Sequence, residues 1–107
     1  MMQKKSYKLR YIPRYENEIV DYIVYKLHSP NSALNLVAKI EKAILERLNH
    51  PLAFEPFKSD RKRQTPYYRI YIDNFTVYYV VLDDVMEVRR ILYKGRNVES
   101  LVKSDSK

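Results

Sequence analysis

The sequence predicts an α+β domain. An N-terminal strand is followed by a helical hairpin and a three-stranded antiparallel meander, with the helices packed on one face of a four-stranded sheet. Three observations predict it. The hydrophobic period is helical between residues 14 and 48 and close to two in the last third. The stretch "SPNS", residues 29–32, splits the helical half into two segments so close together that they must fold back on each other. Two pairs of turn-forming residues, Asp73 with Asn74 and Asp83 with Asp84, cut the last third into strand-length runs.

Each element has its own local reason. In "SYKLRYI", Tyr7, Leu9 and Tyr11 alternate with Lys8 and Arg10, the pattern of a half-buried strand, and Pro13 ends it. "RYENEIVDYIVYKLH" aligns Tyr15, Ile19, Tyr22, Ile23 and Leu27 along one helical stripe. Ser29 is placed as N-cap of the second helix and Pro30 at its first position. That helix should turn Leu34, Val37, Ile40, Ile44 and Leu48 inward and stop at "NHP". "LAFEPFKSDRKRQTPYY", residues 52–68, is irregular, with Pro56 and Pro66. "YYRIYI" alternates Tyr68, Ile70 and Ile72 against Tyr67, Arg69 and Tyr71. "FTVYYVVL" is nearly continuous in apolar residues, as suits a central strand covered on both sides. "VMEVRRILY" closes the meander, and "NVESLV" is expected to form a short terminal helix. The sheet face away from the helices is then left with Tyr67, Arg69, Tyr71 and either Arg89 or Arg90.

A chain of 107 residues fits one domain, here an ordered core of about 7–102 with a polar tail over 103–107. The formal charge is +7, with basic residues grouped near the N-terminus, at Lys58, Arg61, Lys62 and Arg63, and at Arg89, Arg90, Lys94 and Arg96. Such a face points to a polyanion or an acidic peptide as partner. The absence of cysteine excludes disulfides, thiolate nucleophiles and Cys-based zinc sites, and fits a cytoplasmic location. The start "MMQKKSYKLR" lacks the apolar region of a secretory signal, and no apolar run is long enough to span a bilayer, so no membrane partner is expected. His28 and His50 sit at helix ends, and no metal-ligand spacing, nucleophile triad or glycine-rich phosphate loop is present. No cofactor is expected.

Four stretches in this order carry a family likeness: "YKLRYIPRYENEIVDYI", "ALNLVAKIEKAILERLNHP", "YYRIYIDNFTVYYVV" and "VRRILYKGRNVESLV". Together they resemble the RelE/ParE superfamily of bacterial type II toxins, over nearly the whole chain. The last stretch is the most specific, with a strand, an aromatic residue, a glycine–arginine corner and a short apolar helix. The resemblance implies a small protein that blocks growth until a cognate antitoxin, expected to be acidic, binds it. Gly95, the only glycine, would turn the chain off the sheet where a Cβ is costly at positive φ, and would present Arg96.

The superfamily has two modes of action. One branch cuts messenger RNA on the ribosome and needs cations plus proton donors and acceptors at the phosphate. The other inhibits DNA gyrase without hydrolysis. Arg69 stands where the cutting branch has its first basic residue, and Arg96 where it has a late arginine. Tyr71 and Thr76, however, replace two further basic positions, and the terminal "SLV" has no tyrosine or histidine. The residues therefore favour the ParE-like, non-hydrolytic mode. The alternatives are a metal-independent, ribosome-dependent endoribonuclease, with Arg69, Arg96 and Tyr93 as catalytic candidates, or a degenerate member that only binds its antitoxin. In either toxic mode the expected target-binding set is Arg61, Lys62, Arg63, Arg69, Tyr71, Arg90, Lys94 and Arg96.

Overall fold

A computed structural model describes residues 6–26, 30–56 and 65–93. The elements follow the expected order: β1 (Lys8–Tyr11), α1 (Pro13–Lys26), α2 (Pro30–Arg47), β2 (Tyr68–Ile72), β3 (Phe75–Leu82) and β4 (Val85–Tyr93). The sheet order is β1-β4-β3-β2. The meander pairs antiparallel, and β1 closes the sheet by pairing parallel to β4, with Arg10 beside Glu87 and Tyr11 beside Val88. A parallel pair needs a crossover connection, which here is the helical hairpin with the first two meander strands. Pro13 opens α1, where its missing N–H costs nothing. Ser29, Gly95 and the expected terminal helix lie outside the described residues.

Both hairpin turns use a non-glycine residue in the left-handed region, Asp73 at φ 52° and Asp83 at φ 56°. Aspartate tolerates this conformation, so the chain folds two tight hairpins without glycine. Lys39 of α2 reaches Asp73 at 2.9 Å and ties the first turn to the helix.

The helices cover one face. α1 packs over β4 and α2 over β2. Between them lie Tyr15, Tyr22, Ile40, Ile44, Ile70, Val77, Tyr79, Met86, Val88 and Ile91, all buried. Leu36, Ala43 and Leu48 complete the contact from α2. Leu34 does not belong to it. It is 69% exposed, because the helix is rotated so that Leu36 and Ile40, not Leu34, meet the sheet. Arg47 pins the end of α2, donating to the Arg69 carbonyl at 2.9 Å and to the Tyr79 hydroxyl at 3.0 Å, while Tyr79 donates to the Pro51 carbonyl at 2.7 Å.

The face away from the helices is less bare than the alternation implies. Tyr67, Tyr78, Val80 and Leu92 form a second, smaller core there, with Leu82 against it. Of the aromatic side chains expected on that face, Tyr67 is buried, whereas Tyr71 is exposed.

Candidate functional site

Strand register sets out this far face as successive rows. Arg10, Glu87 and Val80 lie side by side, then Arg90, Tyr78 and Arg69, then Leu92, Thr76 and Tyr71. A bulge between Tyr78 and Tyr79 on β3 leaves Arg89 as the extra residue on β4. Such a bulge re-aims side chains, and here Arg89 turns onto the same face as Glu87.

Arg69 is half-buried on β2, with its guanidinium 5.6 Å from the centre of the exposed Tyr71 ring. Tyr78 is its cross-strand neighbour. Burial pushes the Tyr78 phenol up to about 12, against the opposing pull of Arg69 and Arg90. The group remains a neutral hydroxyl at physiological pH.

Arg90 is 3% exposed and lies inside the molecule rather than on its surface. Its Nη2 is 2.5 Å from Glu18 Oε2 and its Nε donates to the same oxygen at 2.9 Å. The other oxygen of Glu18 accepts the Ile91 backbone N–H at 3.0 Å. Strand β1 pairs β4 only as far as Val88. Beyond that point the α1 carboxylate supplies the acceptor that a strand would have supplied, and neutralises the arginine as well.

Tyr93 pairs with Phe75 and packs against it at 5.3 Å and against Tyr22 at 6.4 Å, which puts it on the helix side of the sheet. Arg69 points to the other side, so the structure does not bring these two catalytic candidates together. Arg61, Lys62, Arg63, Lys94, Gly95 and Arg96 lie outside the described residues.

A second constellation escaped the sequence reading. Glu87 is buried at 7% exposure on β4. Its Oε1 accepts from Arg89 Nε at 2.8 Å and its Oε2 from Arg10 Nε, also at 2.8 Å. Burial works against its ionisation, but the hydrogen bonds from Arg89 and Arg10 outweigh it and hold the carboxyl below its ordinary range. Arg89 responds in kind. Burial disfavours its charge, yet Glu87 and the Tyr67 hydroxyl raise its pKa. With Arg14 of α1 and Ile12 just before it, Glu87, Arg89 and Tyr67 line a cleft of about 350 Å³. The only sequence signal was a charged residue inside an apolar strand, and nothing local shows that Arg10 is its partner.

Among the described residues, no group of three or more histidine, aspartate and glutamate side chains is placed to hold a metal ion. No described helix is long and apolar enough to cross a membrane.

Comparison with known proteins gives a consistent picture. A family model described as the ParE toxin of type II toxin-antitoxin system, parDE, matches residues 16–98. None of the curated protein sequences matches the chain. Among solved structures, the chromosomal ParDE toxin-antitoxin system of P. aeruginosa is similar with a TM-score of 0.62 at 13% identity, over 82% of this chain and 96% of that one. The archaeal RelE-RelB complex from Pyrococcus horikoshii gives 0.58 at 14% identity, over 85% and 98%. The isolated E. coli RelE toxin gives 0.57 at 19% identity, over 94% and 98%. At these identities the structures share the fold.

Proposed function

The chain belongs to the ParE toxin family of type II toxin–antitoxin systems, and from that premise we propose that it arrests growth by binding DNA gyrase without hydrolysing anything, until a cognate acidic antitoxin covers its basic surface. The carrying observation is the chemistry around Arg69. Its neighbours on the far face are Tyr71, Thr76 and Tyr78. Tyr78 is shifted away from neutrality, to about 12. General acid–base catalysis works best with a group that titrates near the working pH. Among the described residues no histidine stands on the sheet. Arginine is permanently charged and cannot take a proton there. Such a surface is suited to holding a partner rather than to cleaving a phosphodiester.

In this reading Arg69 and Tyr71 meet the target, together with Arg61, Lys62, Arg63, Lys94 and Arg96, and Gly95 sets the corner that presents Arg96. Arg90, sequestered by Glu18, serves the fold. The test is induction of the wild-type chain in cells, with messenger RNA mapped by primer extension and gyrase supercoiling assayed with the purified protein. Intact messenger RNA with inhibited supercoiling is the expected result. Codon-positioned cleavage of ribosome-bound messenger RNA, lost in Arg69→Ala, would overturn it and establish the RNA-cutting mode.

A further inference from the structure

Arg47, the last residue of α2, reaches out of its helix to the edge of the sheet. We propose that it is a positioning residue for the target surface: it clamps the outer edge of β2 from the helix side and thereby fixes Arg69 on the far face. Only the use made of Arg69 is taken from the growth-arrest reading; how Arg69 is held stands apart from it. β2 has β3 on one side and, among the described residues, no strand on the other. Arg69 lies opposite Tyr78, yet its carbonyl accepts from Arg47 Nη1 at 2.9 Å. That carbonyl therefore points off the edge of the sheet, where a strand has no ladder to hold it.

The clamp is tied at several points. An Nη carries two N–H donors, and here one serves the Arg69 carbonyl and the other the Tyr79 hydroxyl at 3.0 Å. Tyr79 donates its own hydroxyl proton to the Pro51 carbonyl at 2.7 Å. Burial raises the Tyr79 phenol more than the Arg47 bond lowers it, so the hydroxyl keeps that proton at neutral pH. The guanidinium carbon of Arg47 lies over the Phe54 ring, 3.6 Å from its centre, and His50 stacks on the same ring at 5.7 Å. The His50 N–H donates to the Arg47 carbonyl at 2.9 Å and closes the turn that brings Phe54 back. Phe54 is an exposed aromatic residue with a use: it adds a cation–π contact and shields the two Nη1 bonds from water.

Arg47 acts on Arg69 without sharing its surface. Tyr79 belongs to the core under the helices, whereas the Arg69 side chain stands on the far face in a row with Tyr78 and Arg90. The link runs through the Arg69 backbone. Two residues on, Tyr71 shares the Arg69 face, with its ring centre 5.6 Å from that guanidinium. A tilt of the edge strand at Arg69 carries both side chains with it, since alternate residues of a strand share a face. Lysine is no substitute for Arg47. It offers a compact point charge in place of a planar group that stacks on Phe54 while its Nη1 reaches two acceptors.

The test is a double-mutant cycle on the full chain, read by inhibition of gyrase supercoiling and by NMR relaxation of the Arg69 Nε–H. A residue that acts through another is not additive with it. Arg47→Gln should weaken inhibition by the same modest factor as Arg69→Ala, and the double variant should be no weaker than Arg69→Ala. Arg47→Lys keeps the charge and loses the clamp, so it should behave as Arg47→Gln does. In both Arg47 variants the Arg69 signal should shift and lose order. Ile44→Val loosens the core beneath α2 without touching the strand edge, and should leave that signal in place. Amide spectra set the temperature at which every variant is folded. Additive losses in the cycle, an unmoved Arg69 signal in Arg47→Gln, an equal shift in Ile44→Val, or full inhibition by Arg47→Lys would overturn the proposal. If the wild type does not inhibit supercoiling, the growth-arrest reading fails, and the Arg69 signal alone decides whether Arg47 holds it. If neither Arg47 variant folds, Tyr79→Phe takes their place, since it keeps the ring and removes one arm of the clamp.

Discussion

Removing the Glu18 carboxylate should be among the most damaging single changes available outside the apolar core. In Glu18→Ala, the guanidinium of Arg90 stays where the fold puts it, at 3% exposure, and loses both of its bonds to Oε2. Breaking a buried ion pair from one side costs up to about 3–5 kcal/mol, because the remaining charge loses its carboxylate. The Ile91 N–H loses its acceptor as well. Glu18 is 16% exposed, so water can enter after truncation and soften that second loss, which keeps the total in the same range. A domain of this size has about 5–15 kcal/mol to lose. With a urea dependence of about 2 kcal/mol per molar, the unfolding midpoint should fall by up to about 2 M. Equilibrium urea unfolding followed by circular dichroism measures it. The double variant Glu18→Leu with Arg90→Met should recover much of the loss, since apolar residues of similar volume often replace a buried pair without penalty. A midpoint in Glu18→Ala within a few tenths of a molar of wild type would refute the account, as would a double variant less stable than either single one.

Other expectations follow from the same geometry. Ile44, fully buried between α2 and the sheet, should cost about 2–5 kcal/mol when cut to alanine, whereas Leu34→Ala should stay within about 0.5 kcal/mol; denaturant midpoints for the pair report the rotation of α2 directly. Glu87 has a folded pKa below its unfolded value of 4.5, so its contribution is complete above that pH and is lost as pH falls through the folded value. Midpoints measured across the acid range should show this slope in the wild type and a flatter one in Glu87→Gln. Arg69→Ala should weaken growth arrest only modestly, because a single peripheral charge on a protein-binding surface mainly tunes association; plating efficiency after induction tests it, and complete loss of toxicity with a folded variant would count against the non-hydrolytic mode.

What the sequence determined by itself was local. Asp73 and Asp83 tolerate positive φ, so the two hairpins are written in their own residues, and the alternation of Tyr68, Ile70 and Ile72 fixes the inner side of β2. Pro30 marks the start of α2 for the same kind of reason. The tertiary structure decided what depends on distant partners. Leu34 and Leu36 are both apolar on α2, and only docking chose the arc through Leu36, Ile40 and Ile44, since a small rotation of a helix exchanges one stripe for its neighbour. Arg90 reads as a surface cation until Glu18, far away in sequence, is brought against it. Arg10 and Glu87 meet only because β1 pairs parallel to β4, a contact that no turn between them dictates. Charge is the property that a sequence reports least completely, because the energy of an ion depends on its burial and on its counter-ion, and the fold supplies both.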